Sequence, residues 1–243
     1  MFSKEKTFAL RLLNALLLFS IAMFAIGVIM TIVNQIFPTS SSFTFFDESL
    51  PYLITQLVFS VLMLVIVNKC TVLFSRDYPK TKNLLSFFAV NAIESALFYL
   101  IYTCLIAPLI EGQDVRFWEY DFTLYLAVLI VAVATLTIAL KTQLFSTKYD
   151  SLHNVFNLIS LSAAATAAAG VLSVLFNIGR LAEQDGNSVA QTIIYGVITM
   201  IVFGVIMTAL SRDKSTKSRK SVTAKSAKTT RVKTTKAKTT KRK

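Results

Sequence analysis

The chain has 243 residues, of which 54% are hydrophobic and 16% are charged, and its formal net charge is +12 at pH 7. Residues 212–243 carry 14 of the 25 Lys and Arg residues and one acid, Asp213, which leaves a net charge of −1 on the first 211 residues. Average soluble domains are about 25% charged. The composition therefore excludes an ordinary soluble domain and predicts an apolar body followed by a strongly basic tail.

Six windows of the sequence are long and apolar enough to cross the hydrocarbon layer, which takes roughly 20 helical residues. The connections between them are short and leave no polar shell that could cover buried helices. We therefore predict an all-α integral membrane protein with a six-helix transmembrane domain over residues 1–211. The predicted spans are residues 12–33, 52–74, 84–109, 122–140, 155–177 and 189–210.

The first window is interpreted as an uncleaved membrane helix rather than as a secretory signal peptide. It follows a basic segment that contains Lys4, Lys6 and Arg11, as a signal peptide would. Residues 12–33 are longer than the apolar region of about 7–15 residues in signal peptides, however, and no convincing cleavage motif of small residues follows.

Charges in the connecting segments alternate along the chain. The first, third and fifth connections together hold eight acids and two bases, whereas the N-terminus, the second and fourth connections and the tail are basic. Because cytoplasmic loops of membrane proteins are enriched in Lys and Arg, this alternation predicts that both termini are cytoplasmic. The short loops and the lack of glycosylation sequons favour a bacterial plasma membrane.

Glu94 is the one ionisable acid or base predicted to lie deep inside a span. A charged side chain near the bilayer centre costs several kcal/mol, so we expect Glu94 to be protonated, paired or facing water. Asn91 lies one helical turn away on the same face, and Ser95 is adjacent in sequence. These three residues form the candidate intramembrane polar site.

Two interpretations of Glu94 stay open. A protonated carboxyl could hydrogen-bond between helices and help them to pack. Alternatively, the carboxyl could respond to protons or cations in a small transporter or channel. The first interpretation is favoured because the sequence offers no second carboxyl at similar depth to relay a proton.

The sequence does not contain motifs of membrane enzymes, and we predict a non-enzymatic protein without catalytic residues, metal ligands or cofactor. No HExxH, GxSxG or phosphate-binding glycine loop is present. His153 has no Cys, His or carboxylate cluster around it, and Cys70 and Cys104 are predicted at depths too different for a disulfide.

Small residues at 160–170 in the fifth span predict close helix packing. The alternative is that this helix lines a substrate path.

The tail, residues 212–243, is rich in Lys, Thr, Ser and Ala and has too few large apolar side chains to fold alone, so we predict that it is disordered. A five-residue repeat near its end matches neither the helix nor the strand period. Candidate partners are anionic phospholipid headgroups or, through counterion release, nucleic acid or the ribosome. The candidate contact residues are Lys228, Arg231, Lys233, Lys236, Lys238, Lys241, Arg242 and Lys243.

Together these patterns predict a membrane scaffold or anchor whose polybasic cytoplasmic tail engages anionic lipid or nucleic acid. The alternative is a small secondary transporter or channel that uses Glu94. A multi-span body with a basic tail is also found in ribosome-tethered membrane insertases. Those proteins place a basic residue in a groove within the membrane, and this body offers none at membrane depth.

Overall fold

The structure is a computed structural model that describes residues 7–37, 49–112, 120–183 and 186–209. Six helices within these ranges are long and apolar enough to cross a membrane, which confirms the prediction of an all-helical protein with six candidate spans. We number them in chain order: α1 Phe8–Ile36, α2 Leu50–Lys69, α3 Lys80–Ile101, α4 Tyr120–Lys141, α5 Ser151–Phe176 and α6 Gly186–Ala209.

The first two helices begin at residues whose side chains cap them. The Thr7 hydroxyl accepts a hydrogen bond from the Leu10 N–H at 3.3 Å, and the Ser49 hydroxyl accepts one from the Tyr52 N–H at 3.4 Å. Such caps satisfy one of the N–H groups that a helix start leaves without an intrahelical partner. Pro51 lies in the first turn of α2, where its missing N–H costs nothing.

The helix ends differ from the predicted spans mainly around the connection between α2 and α3. The second predicted span runs to residue 74, but α2 ends at Lys69 and a short 3₁₀ turn, Thr71–Leu73, follows. Lys80 and Lys82 precede the third predicted span, which begins at residue 84, but they lie in the first turn of α3. Lys82 is only 5% exposed because its long side chain lies along the protein and ends over the Tyr78 ring.

At its other end α3 continues as a π-helix, Tyr102–Glu111, which contains Pro108. Proline has no N–H to donate to a regular helical ladder, and wider helical turns are one way to accommodate it. The segment ends at Gly112, whose φ of 65° lies in the left-handed region that glycine adopts without a steric penalty.

The helices pack as three consecutive hairpins. α1 packs along α2, α3 packs along α4, and α6 returns against α5. Neighbouring hairpins touch through α1 with α3 and through α3 with α5, and α4 also packs along α5. α1 and α3 therefore connect the first two hairpins, and α3 and α4 together connect the second hairpin to α5.

α6 approaches α5 closely at Gly196. A Cβ atom at this position would collide with the Val171 Cγ2 atom and would lie 3.4 Å from the Ala167 carbonyl oxygen. Gly204 lies on the same helix, but a Cβ atom there would meet nothing within 4 Å. Only one of these two α6 glycines is thus needed for the close approach of two backbones that small residues allow in membranes.

We expect Gly196→Leu to destabilise the protein by about 1–3 kcal/mol, because the larger side chain forces α6 away from Val171 and the Ala167 carbonyl. Thermal unfolding of the purified protein in a mild detergent measures the effect. Gly204→Leu is the matched control, and its melting temperature should stay within the error of the parent protein. Equal losses in both variants would show that α6 is not seated through Gly196.

Candidate functional site

Two connecting segments share a sequence motif. Residues 73–83 and residues 144–154 both read Leu-Phe-Ser-x-x-Tyr-x-x-x-x-Asn, and the two copies are 71 residues apart. The first copy joins α2 to α3, and the second joins α4 to α5. We call residues 70–79 the first joint and residues 142–150 the second joint. Both joints lie on the same side of the helix bundle, which we call the joint side.

Two hydrogen bonds of the serine and asparagine recur in both joints, and the second joint adds one from the Ser146 N–H to the Asn154 side-chain oxygen at 3.2 Å. In the first, the Asn83 side-chain amide donates to the Ser75 carbonyl oxygen at 2.9 Å. In the second, the Asn154 amide donates to the Ser146 carbonyl oxygen at 3.0 Å. Each serine hydroxyl also accepts a backbone N–H two residues later, at 3.2 Å in both joints. The first turn of the following helix is thereby tied to the loop before it.

The tyrosine of the motif packs against the side chain four residues later. The Lys82 ammonium lies 3.8 Å from the centre of the Tyr78 ring, which is a cation–π geometry. At the equivalent place in the second joint, the His153 and Tyr149 rings have their centres 4.7 Å apart. A nitrogen-bearing side chain therefore covers the tyrosine in both copies.

The phenylalanine of the motif inserts between three helices. In the first joint, Phe74 is buried in a cluster that includes residues of all three helices around it: Leu13 of α1, Val67 of α2 and Val90 of α3. In the second joint, Phe145 is buried in a cluster with the corresponding residues: Leu85 of α3, Ala139 of α4 and Leu161 of α5. Each member of the second cluster stands 71 or 72 residues after its counterpart in the first.

These correspondences identify an internal repeat in which the α1/α2 hairpin matches the α3/α4 hairpin. A buried polar residue follows the same spacing, since Asn14, Ser86 and Asn157 are all 0% exposed at equivalent positions of α1, α3 and α5. The repeat creates two equivalent interfaces. We call the interface of α3 with the α1/α2 hairpin the first seam, and that of α5 with the α3/α4 hairpin the second seam.

We expect Asn83→Ala and Asn154→Ala each to lower the stability by about 1–3 kcal/mol, because each removes the donor to a serine carbonyl at a joint. Thermal unfolding in detergent measures both losses, and the loss in Asn154→Ala should be at least as large as that in Asn83→Ala, because the Asn154 side-chain oxygen also accepts the Ser146 N–H. Asn187→Ala, at an exposed position of α6, is the control and should have little effect. A loss confined to one joint would contradict the equivalence.

Glu94 lies in the first seam. It is 9% exposed and about 21 Å along α3 from Lys80. Phe87 and Val90, on the same face of α3, pack with α1 and α2, and Phe98 packs its ring against Phe59 at 5.9 Å between centres. Glu94 is between these contacts along one stripe of the helix and therefore faces the α1/α2 hairpin.

Two buried polar groups of α2 lie near the level of Glu94. α2 and α3 are antiparallel, with Tyr52 against Phe98 at 5.2 Å between ring centres, and this register brings Gln56 and Ser60 alongside the middle of α3. Ser60 is 0% exposed, and neither its hydroxyl nor the Gln56 side-chain oxygen has a hydrogen-bond partner among the described residues. The first seam thus holds a buried polar layer.

The other two residues of the predicted polar site do not join this layer. The Asn91 amide donates to the Phe87 carbonyl oxygen of its own helix at 2.8 Å, and Asn91 is half-buried. Ser95 is exposed, since it is rotated by about 100° from Glu94 around the helix. The helix register therefore places Glu94 near the level of two α2 residues, Gln56 and Ser60, which the predicted polar site did not include.

The second seam contains a cavity of about 430 Å³ between α3, α4 and α5. The small residues of α5 that the sequence analysis noted form one wall, through Ser162, Ala165, Thr166, Ala169 and Gly170. The opposite side of the same stretch packs on α6, where Ala167 and Val171 meet Gly196. The stretch thus both packs closely and lines a cavity.

The difference between the seams follows from two positions of the repeat. Ala165 and Ala169 of α5 stand 71 residues after Glu94 and Phe98 of α3. In the first seam a carboxyl and an aromatic ring occupy the interface, whereas in the second seam two methyl groups leave it open.

The remaining candidate residues lie elsewhere. Cys70 and Cys104 are free cysteines, one exposed and one half-buried. Within the described ranges, no group of three His, Cys, Asp or Glu side chains could hold a metal ion. All eight basic residues proposed as anionic-partner contacts, from Lys228 to Lys243, fall outside the described residues.

The joint motif was visible in the sequence as a repeat with an offset of 71 residues, although hydropathy alone does not reveal it. No family model matches the chain, no curated protein is significantly similar to it, and no solved structure matches its fold. The functional proposals therefore depend on the geometry and charge of this chain.

Proposed function

We propose that the protein is a non-enzymatic membrane anchor that holds its basic tail against anionic phospholipid headgroups at the cytoplasmic face of the membrane. The observation that carries this proposal is a net charge of +13 on residues 212–243, which begin three residues after the end of α6 at Ala209. A polybasic segment immediately beside a membrane helix is a recognised pattern for binding anionic lipid.

The path of the helices supports placing the tail on the joint side. α5 begins at the second joint, and α6 returns against it, so α6 ends on the side where both joints lie. The joints and adjacent helix ends carry bases, including Arg76, Lys141 and Lys148, which favours the cytoplasmic side for the joints and the tail alike.

Tethering favours lipid over nucleic acid as the first partner of the tail. Each Lys or Arg near an anionic leaflet gains about 1 kcal/mol, and the gain decays over a Debye length of about 8–10 Å. Because α6 fixes one end of the tail at the membrane surface, headgroups are present at a high effective concentration. Nucleic acid has to compete with that surface from solution.

We expect the tail to approach the headgroups only when the membrane is anionic. Thr240→Cys, in a chain whose Cys70 and Cys104 are replaced by alanine, carries a fluorophore near the end of the tail in lipid nanodiscs. Quenching by headgroup-labelled lipid should rise several-fold when phosphatidylglycerol is added to phosphatidylcholine. It should fall again between about 50 and 500 mM salt, because screening shortens the range of the attraction.

The control is the same chain with the eight bases from Lys228 to Lys243 replaced by glutamine, which should show a much weaker dependence on lipid charge. Quenching that does not depend on lipid charge, or quenching that RNA abolishes in anionic nanodiscs at physiological salt, would reject lipid as the partner.

An impermeant maleimide should label the thiol introduced at position 240 only after the inner membrane is opened. Labelling of intact spheroplasts would overturn the proposed sidedness.

A small transporter or channel is the second candidate function. It is favoured by the polar layer of the first seam, which holds a buried carboxyl near the level of a buried hydroxyl and a side-chain amide oxygen that lack partners among the described residues. Ionisable residues inside a membrane often mark proton or ion pathways. Internal repeats with sites near the bilayer midplane are also common in secondary transporters, which is an argument from fold-level analogy.

If Glu94 carries protons, Glu94→Gln should reduce proton flux at least tenfold, because an amide keeps hydrogen-bonding capacity but cannot titrate. The measurement uses liposomes loaded with a pH-sensitive dye and driven by a potassium diffusion potential. Ser95→Ala, at the exposed neighbouring position, should keep the parent flux. If the proton flux of liposomes with the parent protein equals that of protein-free liposomes, the transporter or channel function is rejected.

A further inference from the structure

The cavity of the second seam is elongated along the membrane-crossing helices. Its lining extends along α4 from Thr135 to Leu124, a distance of about 16 Å by helical rise. Its volume of about 430 Å³ is within the range of about 300–1,000 Å³ that small-molecule sites occupy. An opening of this length and volume matches an extended hydrocarbon chain better than a compact polar solute.

The hydroxyl of a buried threonine lines this cavity without a partner among the described residues. Thr135 is 7% exposed, and its hydroxyl makes no hydrogen bond with any described residue. The hydroxyls of Thr137 and Thr166 differ, since they donate to carbonyl oxygens one turn earlier on their own helices. A buried hydroxyl without a partner carries a desolvation cost that a ligand atom in the cavity would remove.

The position of Thr135 tells which end of a ligand is polar. Thr135 is six residues before Lys141, about 9 Å from the joint-side end of α4, whereas the far end of the lining, at Leu124, Val128, Ala169 and Gly170, is apolar. A chain that enters from the joint-side leaflet would bring its first polar atoms, the ester group, to the Thr135 end and its methyl end toward Leu124.

The first seam shows how the same interface looks when it is filled. There Phe98 and Glu94 of α3 occupy the positions of Ala169 and Ala165, and the Phe98 ring packs against Tyr52 and Phe59 of α2. The second seam offers the same kind of interface without these side chains. Lipid chains lie beside an apolar void in a membrane protein and can enter it. If the void stays empty, the side chains that line it lose van der Waals contacts.

We propose that the second seam binds one acyl chain of a membrane phospholipid, with the Thr135 hydroxyl donating a hydrogen bond to its ester carbonyl oxygen. The site is independent of the tail, because its lining lies entirely within α3, α4 and α5. The lipid would bridge the α3/α4 hairpin and α5. Its acyl chain would fill the second seam as the Phe98 side chain fills the first.

Native mass spectrometry of the full-length protein, purified in a mild detergent, tests this site. The parent protein should retain about one phospholipid per chain. Ala169→Phe places in the second seam the residue that the first seam already has, and it should reduce retention at least fivefold. Thr135→Val should reduce it by about 2–10-fold, the range expected for one hydrogen bond of about 0.5–1.5 kcal/mol.

Ala134→Phe is the matched control, because Ala134 is exposed, adjacent to Thr135 on α4 and not part of the cavity lining. It should retain phospholipid like the parent protein. Size-exclusion chromatography and circular dichroism establish that Ala169→Phe is folded, and Thr135→Val tests the same site should that variant not fold. A chain without residues 212–243 should retain the lipid, which separates this site from lipid held by the tail.

Several results would overturn the proposal. These are equal retention by Ala169→Phe and Ala134→Phe, loss of the lipid on removal of the tail alone, or a retained molecule that is not a phospholipid. A parent protein that retains no phospholipid while Ala169→Phe has a raised melting temperature would show that the cavity is an empty packing defect.

Discussion

Helices that cross a membrane gain no hydrophobic free energy by meeting one another, since lipid chains are as apolar as their side chains. Association then depends on shape and on buried polar contacts. Here one aromatic wedge in each joint supplies the shape: Phe74 and Phe145 fold back from the loops into the space between three helices. The Ser75–Asn83 and Ser146–Asn154 hydrogen bonds hold the loops that carry these wedges. The wedges fix where the next hairpin can dock, so both seams depend on them.

Hydropathy was sufficient to predict the six helices because a membrane requires about 20 consecutive apolar residues of each span. It could not predict where a basic residue joins a helix. Lys82 is counted as a loop residue by charge, yet it lies in α3 because its stem is buried and its ammonium group lies over Tyr78. The seams were equally hidden, since apolar side chains occur all around each helix and the pattern does not tell which face meets protein and which meets lipid.

The polar residues illustrate the same limit at the level of the site. Many hydroxyls inside the helices donate to a carbonyl of the preceding turn, as Thr31 and Thr55 do, and have no further capacity as donors. Sequence cannot separate these from hydroxyls such as Ser60 and Thr135, whose donors find no partner in the described parts of the chain. Glu94 could be singled out because of its charge alone, whereas its placement beside α2 required the helix register.

The two seams show that one backbone arrangement can support two kinds of interior. In the first seam, Glu94 and Phe98 bring a polar layer and an aromatic plug to the interface, so the chain itself completes the packing. In the second, alanines at the equivalent positions leave an elongated cavity, and the Thr135 hydroxyl at one end of it has no partner among the described residues. Because both wedges are in place, the cavity is not explained by a hairpin that fails to dock. The difference follows from side-chain size at two positions of α5, and it divides the membrane body into a half closed by protein and a half open to a ligand.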